Sequence, residues 1–120
     1  MTATTSVIAD LPGLRLELLD VVGCGIWIYD GTDTRYVNRE LSAITGYTVE
    51  ELLAPHFFAE LIHPEDRDMI VARGQARVRG ESVPETYEIR VITQSGEVRT
   101  LALTARRMEL PSGAVSVVSA

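Results

Sequence analysis

The sequence has a single cysteine, Cys24, among 120 residues, so a disulfide framework within the chain is excluded. A lone thiol favours a reducing, cytoplasmic setting. Basic residues are also scarce, since 11 Lys and Arg against 17 Asp and Glu give a net charge of −6. Because nucleic acid and anionic lipid repel an acidic surface, we expect no nucleic-acid binding and no direct membrane contact.

Long apolar runs are absent as well. No segment is long enough to cross a bilayer, and the start of the chain lacks the basic and apolar regions of a signal peptide. The hydrophobic fraction is nevertheless 46%, which at this length supports one domain with one packed core. We therefore expect a tail and helix over residues 1–22 and one domain over residues 23–120. The strand-like C-terminal residues suggest part of a longer chain.

An amphipathic helix is predicted near the N-terminus. Asp10 is a suitable N-cap, and Pro12 falls in the first turn, where its missing N–H costs nothing. The helix has one apolar stripe, formed by Leu11, Leu14, Leu18 and Val22. Gly23 and Gly25 then end the helix.

Strand patterns flank a central set of helices. The segments "GIWIYDG" and "TRYVN" predict a first hairpin, and "ETYEIRVIT" and "EVRTLALTARRM" predict a second one, followed by a last strand. Between them, Asn38 and Thr48 are positioned to cap short helices, and a longer helix begins at His63-Pro64 and ends at about Arg79. This order predicts an α+β fold whose antiparallel sheet has helices packed on one face.

The motifs "YVNRELSAITGYTVEELL", "IHPEDR" and "YEIRVITQSGEVRTLAL" resemble those of PAS domains, the sensor modules of bacterial signalling proteins. The resemblance runs from Gly23 to Ala120. It implies a five-stranded antiparallel sheet in the order 2-1-5-4-3 around a core covered by central helices. It also implies a sensory module within a larger bacterial protein, such as a histidine kinase or a cyclic-di-nucleotide enzyme.

Alternation along the strands predicts which residues face the helices. The predicted inward row of the sheet comprises Ile26, Ile28, Tyr87, Ile89, Val91, Leu101 and Leu103. The residues predicted to cover this row from the helices are Phe57, Phe58, Leu61, Met69 and Ile70. Together they are the candidate lining of a ligand cavity. The alternative is a filled core in a ligand-free module for protein–protein interaction or dimerisation.

The same alternation places Trp27 and Tyr29 on the outer face of the sheet. An aromatic pair there would form an exposed patch, and the stripe of Leu11, Leu14, Leu18 and Val22 could cover it. In PAS domains this helix and the outer sheet face commonly build a dimer. We therefore predict a homodimer with these six residues in the contact.

The segment His63-Pro64-Glu65-Asp66 has two interpretations. A histidine beside two carboxylates could bind a metal or act as a general base. The same residues are typical of a helix start, because Pro64 suits the first helical position and the acids complement the helix dipole. No HxxxH or HxH pair is present, so we predict a helix start and no metal site.

Catalytic and cofactor signals are weak. The serines lack a nucleophile-elbow motif, and adjacent glutamates such as Glu50-Glu51 point apart, so we predict no enzymatic activity. Haem-binding relatives use a histidine inside the long helix, which here has none. Relatives with covalent flavin use a cysteine near the central helices, whereas Cys24 precedes the first strand. Haem and covalent flavin are therefore disfavoured, and non-covalent flavin or a small organic ligand stays open.

Overall fold

The computed structural model describes residues 22–120 of the chain. Four helices lie between two groups of strands. The strands are β1 (Ile26–Tyr29), β2 (Thr34–Val37), β3 (Thr86–Ile92), β4 (Val98–Leu110) and β5 (Gly113–Ser119). The helices are α1 (Arg39–Thr45), α2 (Val49–Leu52), α3 (Phe57–Leu61) and α4 (Pro64–Val78). The helix predicted from Asp10, with Leu11, Leu14 and Leu18 on its stripe, lies outside the described residues.

The sheet has five strands in the order β2-β1-β5-β4-β3, and every neighbouring pair is antiparallel. The predicted α+β fold and its strand order are confirmed. The first strand and the last strand lie side by side in the middle of the sheet, where Trp27 pairs with Val118 and Ile28 pairs with Val117. All four residues of β1 pair with β5, so a displacement of the first strand would displace the C-terminal strand as well.

The predicted ends of α1 and the predicted start of α2 are present in the structure. The Asn38 side chain caps α1 by accepting a hydrogen bond from the Leu41 N–H, and Gly46 ends the helix with a φ of 81°. At that φ a side chain would be strained, which explains the glycine. Thr48 and Glu51 form a reciprocal capping box at the start of α2. These bonds hold short helices that would not be stable alone.

Both faces of the sheet carry buried apolar residues. On the inner face, which the helices cover, Trp27 is 5% exposed and belongs to a core with Leu41, Leu52 and Leu103. On the outer face a second cluster consists of Ile28, Tyr36, Leu110 and Val115, with Ile26 and Val117 packed against it. The sheet is therefore apolar on both sides at β1 and β5.

The predicted faces of β1 are reversed in the structure. Ile26 and Ile28 were expected to line the inner core but belong to the outer cluster, where Ile28 is 2% exposed. Trp27 and Tyr29 were expected on the outer face but contact the inner core. The reason is that all four residues of this strand are large and apolar. Alternation shows which residues share a face, but it cannot show which face the helices cover.

Candidate functional site

A cavity of about 360 Å³ lies between the inner face of the sheet and helices α3 and α4. This volume falls at the lower end of the range of small-molecule sites. Its apolar wall is formed by Trp27, Phe58, Ile62, Ile70 and Val118. Exposed residues, among them Thr32, Asp33, His56 and Gln75, mark its rim. Space of the size of a small ligand therefore lies beside the packed core.

Two aromatic rings define the apolar wall. The ring centroids of Trp27 and Phe58 are 4.8 Å apart, and the planes are inclined by 43°. Tilted pairs of this kind are favourable beyond the area they bury. Trp27 is the only tryptophan of the chain, so its fluorescence reports on the cavity wall without overlap from a second indole.

Close packing of α4 on β1 shapes one side of the cavity. A Cβ atom added to Gly74 would lie 3.0 Å from Cε2 of Tyr29, so only glycine allows the ring to approach the helix this closely. Burial of the Tyr29 hydroxyl raises its pKa above the ordinary value, although a hydrogen bond from Gln75 opposes the shift. Tyr29 is therefore a neutral hydrogen-bonding group at the cavity wall.

The rim is ordered by a turn between β1 and β2. The Asp30 carboxylate accepts hydrogen bonds of 2.8 Å from the N–H groups of Thr32 and Asp33, and it pairs with Arg35 at 3.2 Å. Across the opening, Gln75 of α4 donates to the Gly31 carbonyl at 3.4 Å. These bonds tie the rim loop to both the sheet and the long helix.

The floor of the cavity is polar. Arg77 is 4% exposed, and its Nη2 donates to the Pro84 carbonyl at 2.7 Å while its Nη1 donates to Ser116 Oγ at 3.3 Å. Its guanidinium carbon lies 5.8 Å from the centroid of the Tyr87 ring. Ser116 is also buried and lies on the inner face of β5. The cavity thus joins an apolar wall to a cationic floor.

The sequence analysis missed Arg77 and Ser116. A signal for Arg77 is present, because it follows Ile70 by seven positions and Gly74 by three, the spacing of one helix face. Ser116 precedes Val118 by two positions in β5, so both side chains lie on the inner face of that strand. A polar residue on a buried stripe is the feature that would have identified both.

Only part of the predicted lining surrounds the cavity. Phe58, Ile70 and Tyr87 line it. The predicted residues that instead fill the inner core beside the cavity are Leu61, Ile89, Val91, Leu101 and Leu103. Phe57 packs edge-on against Tyr47, with the ring centroids 4.8 Å apart. Met69 is 39% exposed and does not line the cavity, so its assignment to the lining was wrong.

The His63–Asp66 segment serves as a helix start and closes a sheet edge. His63 Nδ1 accepts a hydrogen bond from the Glu65 N–H at 3.1 Å. The backbone N–H of His63 donates to the Arg90 carbonyl at 2.8 Å. The Arg90 N–H donates to Asp66 Oδ2 at 2.9 Å, and the Arg90 side chain pairs with Asp66 at 2.8 Å. The segment thereby satisfies the free edge of β3 at this residue.

The Asp66–Arg90 pair predicts a pH dependence of stability. Hydrogen bonds from Arg90 lower the pKa of Asp66 from 3.8 to about 2. Since the folded-state pKa lies below the unfolded value, the contribution is complete above the unfolded pKa and is lost as the pH falls through about 2. In urea unfolding, Asp66→Asn should be less stable than wild type at about pH 6, and the difference should shrink steeply as the pH falls from about 4 to about 2.

The matched control is Asp68→Asn, which removes an exposed carboxylate of the same helix that has no ion pair among the described residues. Its difference from wild type should stay nearly constant over the same pH range. An Asp66→Asn difference that does not shrink in acid would contradict the role assigned to this ion pair.

Potential metal-ligating side chains are dispersed over the described part of the chain. Across residues 22–120 no group of three or more His, Cys, Asp or Glu side chains could hold a metal ion. Of the histidines, His56 lies at the rim with a left-handed φ of 64°, and α4 contains none. The thiol of Cys24 is free and does not line the cavity.

Within residues 22–120, no helix is long and apolar enough to span a membrane.

Comparisons with known proteins agree with this architecture. The family model of the PAS fold matches residues 34–119. A domain of a sensory box sensor histidine kinase/response regulator from Geobacter sulfurreducens is 27% identical, with a TM-score of 0.66 over 86% of this chain and 87% of that chain. No curated protein matches the sequence.

Two further solved structures show the same fold at lower identity. The PAS domain of a protein from Colwellia psychrerythraea is 17% identical, with a TM-score of 0.71, covering 88% of this chain and 92% of that chain. The N-terminal domain of a diguanylate cyclase with PAS/PAC sensor from Marinobacter aquaeolei is 16% identical, with a TM-score of 0.61. That match covers 80% of this chain and 95% of the other.

Proposed function

The chain belongs to the PAS family, and on that premise we propose that it is a sensory module whose cavity binds a small organic molecule. The observation that carries the proposal is the cavity of about 360 Å³, which joins an apolar wall to a polar floor. The module would act in the cytoplasm within a larger signalling protein. Its similarity to domains of a sensor histidine kinase and a diguanylate cyclase supports an output domain of one of these kinds in the same parent chain.

The proposed mechanism is a population shift. A ligand that binds one packing of sheet and helices more tightly than another favours that packing by the difference in affinity. Ser116 and Val118 of the C-terminal strand line the cavity, so a ligand touches this strand directly. This strand would transmit the shift in population to the output domain. Non-covalent flavin remains a candidate beside other small organic ligands, and the module itself would perform no chemistry.

Filling the cavity should weaken ligand binding. Ala59 of α3 lines the cavity, so the phenyl ring of Ala59→Phe would occupy space that a ligand needs. Binding is measured by retained mass in native mass spectrometry and by titration of Trp27 fluorescence. We expect Ala59→Phe to weaken binding by at least about tenfold, equivalent to about 1.4 kcal/mol.

The control is Ala72→Phe, which adds the same ring at an exposed position of α4 outside the cavity. It should bind as the wild type does. Equal binding by the wild type and Ala59→Phe would show that the ligand sits elsewhere, and the cavity proposal would fail.

We further propose that the module is a homodimer, with the stripe of Leu11, Leu14, Leu18 and Val22 in the contact. The supporting observations are the exposed Val22 at the end of the stripe, 51% accessible, and the apolar outer face of the sheet around Ile28. Trp27 and Tyr29, which were predicted in this contact, are excluded from it because they face the helices.

Introducing a charge into the stripe tests the dimer. Leu18→Glu should convert a dimer into a monomer in sedimentation velocity, because an unpaired carboxylate is costly in an apolar contact. Ala72→Glu, which places the same charge on an exposed helix position, should leave the dimer intact. A Leu18→Glu protein that still sediments as a dimer would remove this interface.

A further inference from the structure

We propose that the cavity takes an organic anion, an apolar body bearing a carboxylate, which Arg77 and Ser116 bind at the floor. The inference rests on the proposed sensory function and names the chemical class of its ligand. Its starting point is a buried positive charge without a negative partner. Arg77 is 4% exposed, yet none of the ion pairs among residues 22–120 includes it.

Two carboxylates that share a neighbouring groove with this arginine are paired with other cations. Glu81 and Glu85 line a neighbouring groove together with Arg77. Glu81 pairs with Arg79 at 2.6 Å, and Glu85 pairs with Arg106 at 3.6 Å. Arg77 instead has two neutral acceptors, the Pro84 carbonyl and the Ser116 hydroxyl.

A guanidinium stays protonated in proteins, so it cannot become neutral when it is buried. Buried charges in proteins are paired or bound to ions, because an uncompensated charge in an apolar interior is costly. A guanidinium has five N–H donors, and its planar fork matches a carboxylate, which it binds through two parallel hydrogen bonds. Two donors of Arg77 are used by the protein. The charge itself has no partner until an anion enters.

Ser116 supplies a second hydrogen-bond donor beside the Arg77 guanidinium. Its oxygen accepts the hydrogen bond from Arg77 Nη1, so its hydroxyl hydrogen is left for another acceptor. Among the described residues nothing accepts that hydrogen. A carboxylate between Arg77 and Ser116 would accept from both side chains. The polar floor therefore has the donors that a carboxylate needs and offers no competing negative charge.

The rest of the cavity suits the apolar part of such a ligand. Trp27, Phe58 and Ile70 form the wall above the floor. The one acidic residue of the lining, Asp33, is exposed at the rim, so an anion bound at the floor is not placed among carboxylates. An aromatic or branched aliphatic monocarboxylate has both features.

A purely structural role for Arg77 is the rival explanation. The side chain ties α4 to the loop before β3 and to β5 through its two hydrogen bonds, and it lies over Tyr87. In that case a negative charge on a guest would make no difference to binding. Comparing an acid with its neutral amide separates the two explanations, because the pair has nearly the same shape.

The probes are benzoate, phenylacetate and 4-methylpentanoate, each beside its primary amide, added to the full chain. Binding is followed by Trp27 fluorescence and by isothermal titration calorimetry. Charge-assisted hydrogen bonds change affinity by about 10- to 100-fold. We therefore expect the best acid to bind the wild type at least about tenfold more tightly than its amide, and Arg77→Gln to lose this preference.

Two further variants control the result. Arg73→Gln removes the neighbouring arginine, whose guanidinium carbon is 4.9 Å from the same Tyr87 ring but which does not line the cavity. It should keep the preference for the acid. Ser116→Ala keeps the guanidinium and should reduce the preference by several-fold, which provides a second test if Arg77→Gln fails to fold.

The outcomes are distinct. Acid and amide binding equally well to the wild type would overturn the anion inference while leaving a sensory cavity. Binding of neither probe class to the wild type would overturn the anion inference, while a neutral organic molecule retained in native mass spectrometry would still support the small-molecule function. A preference for the acid that persists in Arg77→Gln would assign the anion to another group and would also overturn the inference.

Discussion

Replacing Trp27 with alanine should lower the free energy of unfolding by about 3–5 kcal/mol. The side chain is buried in the inner core and packs against Phe58, with the ring centroids 4.8 Å apart. Its removal takes away the largest apolar surface of β1 and enlarges a cavity that the protein already contains. Urea unfolding followed by far-ultraviolet circular dichroism measures the loss without needing the tryptophan signal.

Two substitutions calibrate this result. Trp27→Phe retains an aromatic ring and should cost less than half as much as the alanine variant. Val22→Ala shortens a side chain that is 51% exposed and should change the stability by less than about 0.5 kcal/mol. If Trp27→Ala also costs less than about 1 kcal/mol, the indole lies toward water and the inner-face assignment is wrong.

Replacing Asn38 with alanine should cost about 2–4 kcal/mol, because its amide joins three backbone groups. Oδ1 accepts from the Ile26 N–H at 2.9 Å and from the Leu41 N–H at 3.1 Å, and Nδ2 donates to the Cys24 carbonyl at 2.9 Å. The residue is 1% exposed, so water cannot replace these bonds. Chemical denaturation monitored by Trp27 fluorescence gives the change.

The matched comparison is Asn38→Asp, which keeps the acceptor oxygen but loses the donor to Cys24. This variant retains the helix cap and should recover part of the loss at low pH, where the carboxyl is protonated and can donate. Thr48→Ala removes only the cap of a short helix and should cost about 1 kcal/mol. An Asn38→Ala loss no larger than that would show that the amide acts as a simple cap.

The order of elements could be predicted from local chemistry. Asn38, Gly46, Thr48 and Pro64 act at helix ends through bonds or backbone angles that depend on only a few neighbouring residues. The hairpins likewise depend on short turns. The strand order followed from the resemblance to PAS domains, since no local feature shows that β5 lies between β1 and β4.

The faces of the elements were harder to predict. β1 has an apolar residue at every position, and both of its faces are buried, so hydrophobicity could not distinguish inside from outside. In α4 the buried face contains Gly74 and Arg77, while Met69 is exposed. A rule that places apolar residues inside therefore misplaces Met69 and misses Arg77. Both errors occur at the walls of the cavity.

The cavity depends on contacts between distant parts of the chain. Gly74 permits the approach of Tyr29, and Arg77 meets Ser116 thirty-nine residues further along. These pairs exist only once the sheet is assembled. The sequence indicates a polar residue on a buried helix face, but the empty space beside it follows from the shapes of side chains on separate elements.

The most direct test of the central claim, that this core receives a small guest, is a ¹H–¹⁵N NMR titration. The chain has one indole N–H signal, from Trp27 in the cavity wall. On addition of the carboxylate probes, that signal and the amides of Gly74 and Ser116 should shift together, while those of Ile28 and Val115 on the outer face stay in place. Shifts confined to the outer face, with an unmoved indole signal, would contradict the account.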